Sequence, residues 1–126
     1  MSAYRRTGPK YKDKKMFLEA LMKIYKKEHI EVHDVATNLY GYMGDKREEV
    51  ANVIIRRRHV GGLSNDIGFI LTKDGYELII SSYDSSAHPD AKMKLPLIYA
   101  DMYVRRMNPY SYSVKNEPNK ITVEVR

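Results

Sequence analysis

The chain of 126 residues contains no cysteine and no tryptophan, and only two of its residues are phenylalanine. Without cysteine it has no disulfide framework, no cysteine-based zinc site, no iron–sulfur cluster and no thiol nucleophile. No apolar run approaches the roughly 18 residues that a membrane span needs. The basic N-terminus has no apolar stretch behind it, so no secretory signal is predicted. These absences favour a cytoplasmic protein without a membrane partner, and a reducing compartment is compatible with them.

Positive charge is concentrated at the start of the chain. The formal net charge is +6, and residues 1–15 hold six cations against one acid, Asp13, which places +5 there. Gly8 and Pro9 discourage regular structure in this stretch. We therefore predict a basic flexible arm, or a poorly formed edge strand, over residues 1–12. The six cations are Arg5, Arg6, Lys10, Lys12, Lys14 and Lys15.

The remaining residues, 13–126, are expected to form a single domain, since hydrophobic residues make up 43% of the chain and a chain of this length buries one core. Helical periodicity runs from Asp13 to about Glu28, and a second helix starts near Pro96, which suits a first helical turn, and continues to about Met107. Alternating or β-branched segments predict strands around residues 30–33, 50–57, 67–72, 76–82, 110–115 and 121–125.

The order of these segments predicts an α+β domain. Its architecture is a single antiparallel sheet of about five to six strands, with two helices packed on one face. The clearest local signal is Asp74–Gly75 between two of the strands, because glycine adopts the positive φ of a tight hairpin.

A metal site is one reading of the segment His29-x-Glu31-x-His33. On a strand these three side chains point the same way, and two imidazoles with a carboxylate suit zinc or non-haem iron. The other reading, which we favour, is that Ile30 and Val32 take the core side and the polar residues face water. A metal-dependent enzyme is therefore our third hypothesis.

Other catalytic signals are weak. Asp66 and Asp84 lie at strand ends, where paired carboxylates could act as acid and base, but aspartate at such positions more often makes a turn. Gly61–Gly62 lacks the context of a phosphate-binding loop. We assign no catalytic residue and no cofactor, and consider an enzyme less favoured than a binding protein.

Arginine and tyrosine are the abundant functional residue types. Arg56, Arg57 and Arg58 end a predicted strand, and the chain has eleven tyrosines. Basic residues contact phosphates and exposed tyrosines stack on bases, which suits RNA or single-stranded DNA. The same residue types are favoured at protein interfaces, so a protein partner is our first hypothesis and nucleic acid the second.

Several segments together resemble the family called domain of unknown function 1257, whose plastid members are hypothetical chloroplast reading frames. They are Leu39-Tyr40-Gly41-Tyr42, Ala51-Asn52-Val53-Ile54-Ile55-Arg56, Asn65-Asp66-Ile67-Gly68-Phe69, Asp74-Gly75-Tyr76-Glu77-Leu78, Tyr99-Ala100 and Ile121–Val125. The resemblance implies a non-enzymatic accessory subunit, with an AAA-type ATPase assembly as partner, and the plastid stroma as location if the chain is plastid-encoded. It supplies no catalytic residue.

We therefore predict a small intracellular binding protein. The candidate binding residues are Arg5, Arg6, Lys10, Lys12, Arg56, Arg57, Arg58, Asp66 and Asp84.

Overall fold

The computed structural model describes residues 2–107, 112–117 and 120–125. Its strands and helices follow one another as β1 (Tyr4–Tyr11), α1 (Lys14–Leu21), β2 (Ile30–Tyr40), β3 (Lys46–Ile55), β4 (Ile67–Thr72), β5 (Gly75–Ser81), α2 (Ser82–Ala87), α3 (Asp90–Met93), α4 (Leu95–Met107), β6 (Tyr112–Glu117) and β7 (Lys120–Val125). Short 3₁₀ turns precede β2 and follow β3.

Five strands form one antiparallel sheet in the order β1-β5-β4-β3-β2. The strands β6 and β7 pair with each other in a separate antiparallel sheet. Helices α1 and α4 supply buried residues to the core on one face of the large sheet. The predicted α+β class with a five-stranded antiparallel sheet is confirmed. In the described part of the chain, no helix has the length and apolar character needed to cross a membrane.

Helix α1 begins where the sequence predicts it but ends earlier. The Asp13 carboxylate accepts a hydrogen bond from the Met16 amide and caps the helix, as capping chemistry requires. The last turn then tightens, because the amides of Lys23 and Ile24 bond to carbonyls three residues back. The predicted helix to Glu28 therefore stops at Leu21.

The polar stretch that follows β5 begins with the short helix α2. The Ser81 hydroxyl accepts a hydrogen bond from the Asp84 amide and caps α2. A serine followed three residues later by an acid is a helix-start signal, and it is present in the sequence as Ser81-Ser82-Tyr83-Asp84. Residues 110–111 of the predicted strand 110–115 lie outside the described residues.

Of the two alternatives predicted for residues 1–12, a flexible arm or an edge strand, the structure has the strand, because residues 4–11 form the edge strand β1. This strand pairs with β5 from Tyr4–Ser81 to Tyr11–Tyr76. The register shifts between Thr7 and Lys10, where Gly8 has φ +82° and Pro9 has no amide hydrogen. Basic side chains, a bulge and a proline protect a sheet edge from indiscriminate pairing, which gives this cationic segment a structural role.

The predicted hairpin is present as β4 and β5, with Gly75 paired to Thr72. Gly75 has φ +125°, a conformation that favours glycine. A Cβ there would also lie 2.5 Å from the Tyr11 carbonyl oxygen of β1. The glycine therefore permits both the turn and the close approach of the edge strand.

The core between the sheet and the helices is rich in stacked rings. Phe17 of α1 lies 4.8 Å from Tyr76 and 4.9 Å from Phe69, measured between ring centroids. Tyr11 stacks on Phe17 at 5.3 Å and meets Tyr99 of α4 edge-on at 4.9 Å. Most of these contacts lie in the preferred separation range for aromatic pairs, and they join β1, both long helices and the sheet.

The β2–β3 hairpin bends over the other face of the sheet. Between the pairs Val32–Val53 and Thr37–Ala51, β2 advances five residues while β3 advances two. Such an excess of residues on one strand bends the pair strongly. A second buried cluster results, in which Leu39 and Ala51 of the hairpin pack on Ile54 and Ile79.

Asn52 holds the point where the hairpin separates from the sheet. Its side-chain nitrogen donates to the carbonyls of His33 and Asp34, at 3.2 and 3.3 Å, and its oxygen accepts from the Leu71 amide at 3.0 Å. Strand β3 consequently pairs with β4 only over Val53–Ile55.

Candidate functional site

Asp66 and Arg56, two of the predicted binding residues, lie at the centre of a buried polar network. The Asp66 carboxylate accepts hydrogen bonds from the Arg56 guanidinium (2.8 Å), the Tyr40 amide (2.8 Å) and the Arg57 amide (2.7 Å). The carboxylate is almost fully buried. It therefore anchors the end of β2 to the segment after β3, and both of its oxygens are engaged by groups of the protein.

Glu31 and His33 are brought together as the strand pattern predicts. The two side chains are 2.9 Å apart, and Glu31 also accepts from Arg56 at 3.0 Å. Burial would raise the pKa of Glu31, but hydrogen bonds and charge from Arg56 and His33 lower it below its ordinary value.

His29 does not join them as a metal ligand. Its ring stacks on His59, with centroids 3.7 Å apart and planes 7° from parallel. Among the residues that the structure describes, no group of three histidine or acidic side chains is arranged to hold a metal ion. The metal reading of His29, Glu31 and His33 is thus not supported by this geometry.

Asp84, in the first turn of α2, is also buried. One of its oxygens accepts from the Asn65 amide (2.9 Å) and from the Ser81 hydroxyl (2.8 Å). The other oxygen is 3.9 Å from His88 one helical turn away. Asp66 and Asp84 are therefore held in separate networks, and the carboxylate pair that the sequence raised for acid–base chemistry does not face one cleft.

The cations of β1 divide into paired and unpaired groups. Arg6 and Lys10 share Glu77 of β5, at 2.7 and 3.4 Å. These contacts lower the pKa of Glu77 although its partial burial would raise it. Arg5 of β1 and Lys12, which directly follows the strand, are exposed and form no ion pair with another described residue.

A groove lies between β1 and the bent part of β3. Its volume is about 500 Å³, within the range of roughly 300–1,000 Å³ typical of ligand sites. The apolar residues lining it come from four strands and its charged residues from two. They are Tyr4, Val50, Ile70 and Ile79, with Arg5 and Arg6 on β1 and Glu48 and Glu49 on β3. We call it the β1–β3 groove.

The two strands that border this groove are fixed to each other at Tyr4. The Arg47 guanidinium of β3 lies 4.9 Å from the centroid of the Tyr4 ring and donates to the Ser2 carbonyl at 3.0 Å. The Tyr4 hydroxyl donates to the Asp66 carbonyl at 2.7 Å. Burial and the nearby Asp66 raise the pKa of Tyr4, so this hydroxyl remains a donor throughout the physiological range.

A second hollow of about 390 Å³ lies beside the Asp66 network. Tyr40, Gly44, Arg56, Arg57, Arg58 and Asp66 line it. We call it the arginine–tyrosine cavity. It contains all three members of the predicted Arg56–Arg58 cluster, which the fold therefore keeps together.

The sequence analysis missed the residues of β3 that border the β1–β3 groove. Glu48, Glu49 and Val50 carry no motif, and the prediction placed the strand only from residue 50. Residues 46–49 are four consecutive charged residues, so no alternation of apolar and polar side chains signals that the strand begins before residue 50. The place of these residues beside β1 in the groove could not have been predicted from the sequence, because the bend of the hairpin brings the two strands together.

Comparison of the chain with models of protein families, with curated proteins and with solved structures finds no match. The resemblance to the domain of unknown function 1257 family stays a prediction.

Proposed function

We propose that this protein is a non-enzymatic binding module that takes an extended segment of a partner protein in the β1–β3 groove. The observation that carries the proposal is the groove itself, with apolar side chains between arginines on one wall and glutamates on the other. An amphipathic surface of this kind suits recognition by side-chain contacts. The proposal assigns no catalytic role to any residue of the groove.

The shape of the groove favours an extended occupant. Over Tyr4–Thr7, β1 keeps an unbroken register with β5, and β5 is its only strand partner among the described strands. Its outer edge is therefore available to a further strand, which would add main-chain hydrogen bonds in the manner of β-strand addition. Val50, 36% exposed, and Ile70, half-buried, offer apolar contact to alternate side chains of that strand.

The charges of the groove select the occupant. Arg5 on one wall and Glu48 on the other are exposed, and neither forms an ion pair with another described residue. A segment with an acidic residue toward β1 and a basic residue toward β3 would satisfy both, and such complementarity mainly sets specificity and register.

A second copy of the chain fits less well. Two β1 strands paired about a two-fold axis between Arg5 and Arg6, the centre of the regular Tyr4–Thr7 segment, would place these arginines of each copy against those of the other. Like charges set opposite each other in a strand pair are destabilising. A partner of different sequence is therefore the proposed occupant, and the resemblance described above makes an AAA-type ATPase the first protein to test.

A peptide-display selection on the immobilised protein tests the proposal. We expect it to enrich segments of about ten residues with alternating apolar positions and an acidic residue. Val50→Glu should weaken binding of the selected peptides about tenfold or more, since a charge would then occupy the apolar floor. Arg5→Glu should change the preferred residue at one peptide position from acidic to basic. Fluorescence anisotropy measures both effects.

Lys73→Glu in the exposed β4–β5 turn is the matched control and should bind like the unaltered protein. Hydrogen exchange with a bound peptide should show added protection at the amides of β1. The proposal fails if no peptide is enriched, or if the peptides bind the Val50 and Arg5 variants unchanged. It also fails if light scattering finds a dimer that Val50→Glu dissociates, because the groove would then hold a second copy.

A further inference from the structure

The arginine–tyrosine cavity combines an exposed aromatic ring with cations. Tyr40 is 38% exposed, although its backbone is fixed by hydrogen bonds to Asp66 in both directions. The Arg56 guanidinium lies 5.8 Å from the centroid of the Tyr40 ring. The Tyr40 ring is thus positioned by the hydrogen bonds of its own backbone and by the Arg56 guanidinium. Part of the ring surface stays open to a ligand.

The three arginines of the cavity differ in how their charge is used. Arg56 donates to Glu31 and Asp66. Burial alone would lower the pKa of Arg56, but these two carboxylates raise it. Its positive charge is therefore balanced within the protein, and Arg56 acts as a support.

Arg57 and Arg58 are exposed and form no salt bridge with a described residue. One nitrogen of Arg57 donates to the Tyr42 carbonyl at 2.7 Å, which positions the guanidinium and leaves its remaining donors for a ligand. Both residues line the cavity. Two arginines beside one aromatic ring provide donors for a phosphate and a stacking surface for a base.

We propose that this cavity binds one nucleotide of a single-stranded nucleic acid, with the base on Tyr40 and the phosphate between Arg57 and Arg58. The inference does not depend on the β1–β3 groove, with which the cavity shares no lining residue. Single strands fit because their bases are free to leave the stack. A phosphorylated peptide would use the arginines and not the ring.

Fluorescence anisotropy with labelled single-stranded RNA and DNA of about twelve nucleotides tests the proposal. Tyr40→Leu should weaken binding about 5- to 100-fold, as expected for the loss of one stacked base, and Tyr40→Phe should restore it. Arg57→Gln and Arg58→Gln should each lower the slope of log affinity against log salt by about 0.7, the value for one phosphate contact on a single strand.

The controls separate this site from general attraction to a basic protein. Arg5→Gln on β1 should leave the stacking contribution of Tyr40 unchanged, and duplex DNA of the same sequence should bind more weakly. Circular dichroism confirms that each variant is folded. The proposal is overturned if neither single strand binds, or if the Tyr40, Arg57 and Arg58 variants bind as tightly as the unaltered protein. It is also overturned if free AMP or a phosphotyrosine peptide competes as well as the strand.

Discussion

At the scale of single residues, the polar side chains of this protein divide into those that hold the chain and those that face outward. The sequence analysis singled out three charged residues that turn out to be structural. Each of them forms several hydrogen bonds within the protein: Asp66, Asp84 and Arg56. Buried charges require such partners, because leaving one unpaired is costly. Their neighbours Arg57 and Arg58 are exposed and are the better candidates for contact with a ligand.

Glu31 is predicted to make the stability of the folded protein sensitive to acid. Its pKa lies below the ordinary value of 4.5 in the folded protein. The resulting stabilisation is complete above that value and is lost as the pH falls through the folded pKa. We expect Glu31→Gln to be less stable near pH 7 by less than about 1 kcal/mol, because the side chain is about one-third exposed and solvent screens the pair.

Urea unfolding at several pH values between 7 and about 3.5 measures this effect. The difference between Glu31→Gln and the unaltered protein should shrink below pH 4.5, the unshifted value, as Glu31 is protonated. Glu28→Gln, at an exposed position, is the control and should change little. A difference that stays constant into acid would contradict the assigned role of Glu31.

At the scale of elements, the bent β2–β3 hairpin is the feature that packs on the second face of the sheet, opposite the face that carries the two helices. The unequal advance of the two strands and the three hydrogen bonds of Asn52 turn the hairpin onto the second face. That turn covers one part of the face and leaves the β1–β3 groove beside it. The helices and the pairing of β4 with β5 follow from local sequence signals, whereas this bend depends on contacts between distant residues.

Gly68 tests how closely the hairpin packs on the sheet. A Cβ at this position would lie 2.5 Å from the Ala51 Cβ and 2.9 Å from Leu39 Cδ2. We expect Gly68→Ala to lower the free energy of unfolding by about 1–3 kcal/mol, since overpacking forces such neighbours apart. Gly62→Ala provides the matched control, because its Cβ would meet no heavy atom within 4 Å. Chemical denaturation compares the two, and equal stabilities would show that the hairpin does not press on this face.

At the scale of the whole molecule, the aromatic core joins elements that are far apart in sequence. Tyr11, Phe17, Phe69, Tyr76 and Tyr99 lie on three strands and two helices. This core explains why residues 4–11 are ordered as a strand, since Tyr11 is buried at its end. A basic segment for which the sequence left a flexible arm or an edge strand open is thus tied into the domain by one ring and by pairing with β5.

Removing the ring of Phe17 measures how much this core contributes. Phe17→Ala should destabilise the protein by about 3–5 kcal/mol, the range for truncating a fully buried aromatic side chain. Leu97→Ala on α4 should change stability by less than about 0.5 kcal/mol, because Leu97 is 72% exposed. Thermal and urea unfolding give both values. A small effect of Phe17→Ala would mean that the core repacks around the missing ring.

The amino-acid sequence by itself determined the α+β class, the start of α1 at Asp13, the β4–β5 hairpin at Gly75 and a helix starting near Pro96, because each depends on hydrophobic periodicity, a cap or a turn residue within a few positions. It also placed Arg56, Arg57 and Arg58 at a strand end, but it could not say that Arg56 is neutralised by Glu31 and Asp66. Only the tertiary structure decided which charges are buried, that residues 4–11 complete the sheet, and that Glu48 and Arg5 line the same groove. These facts arise from strand pairing and from the bend of a hairpin, and both bring together residues whose separation along the chain carries no local signal.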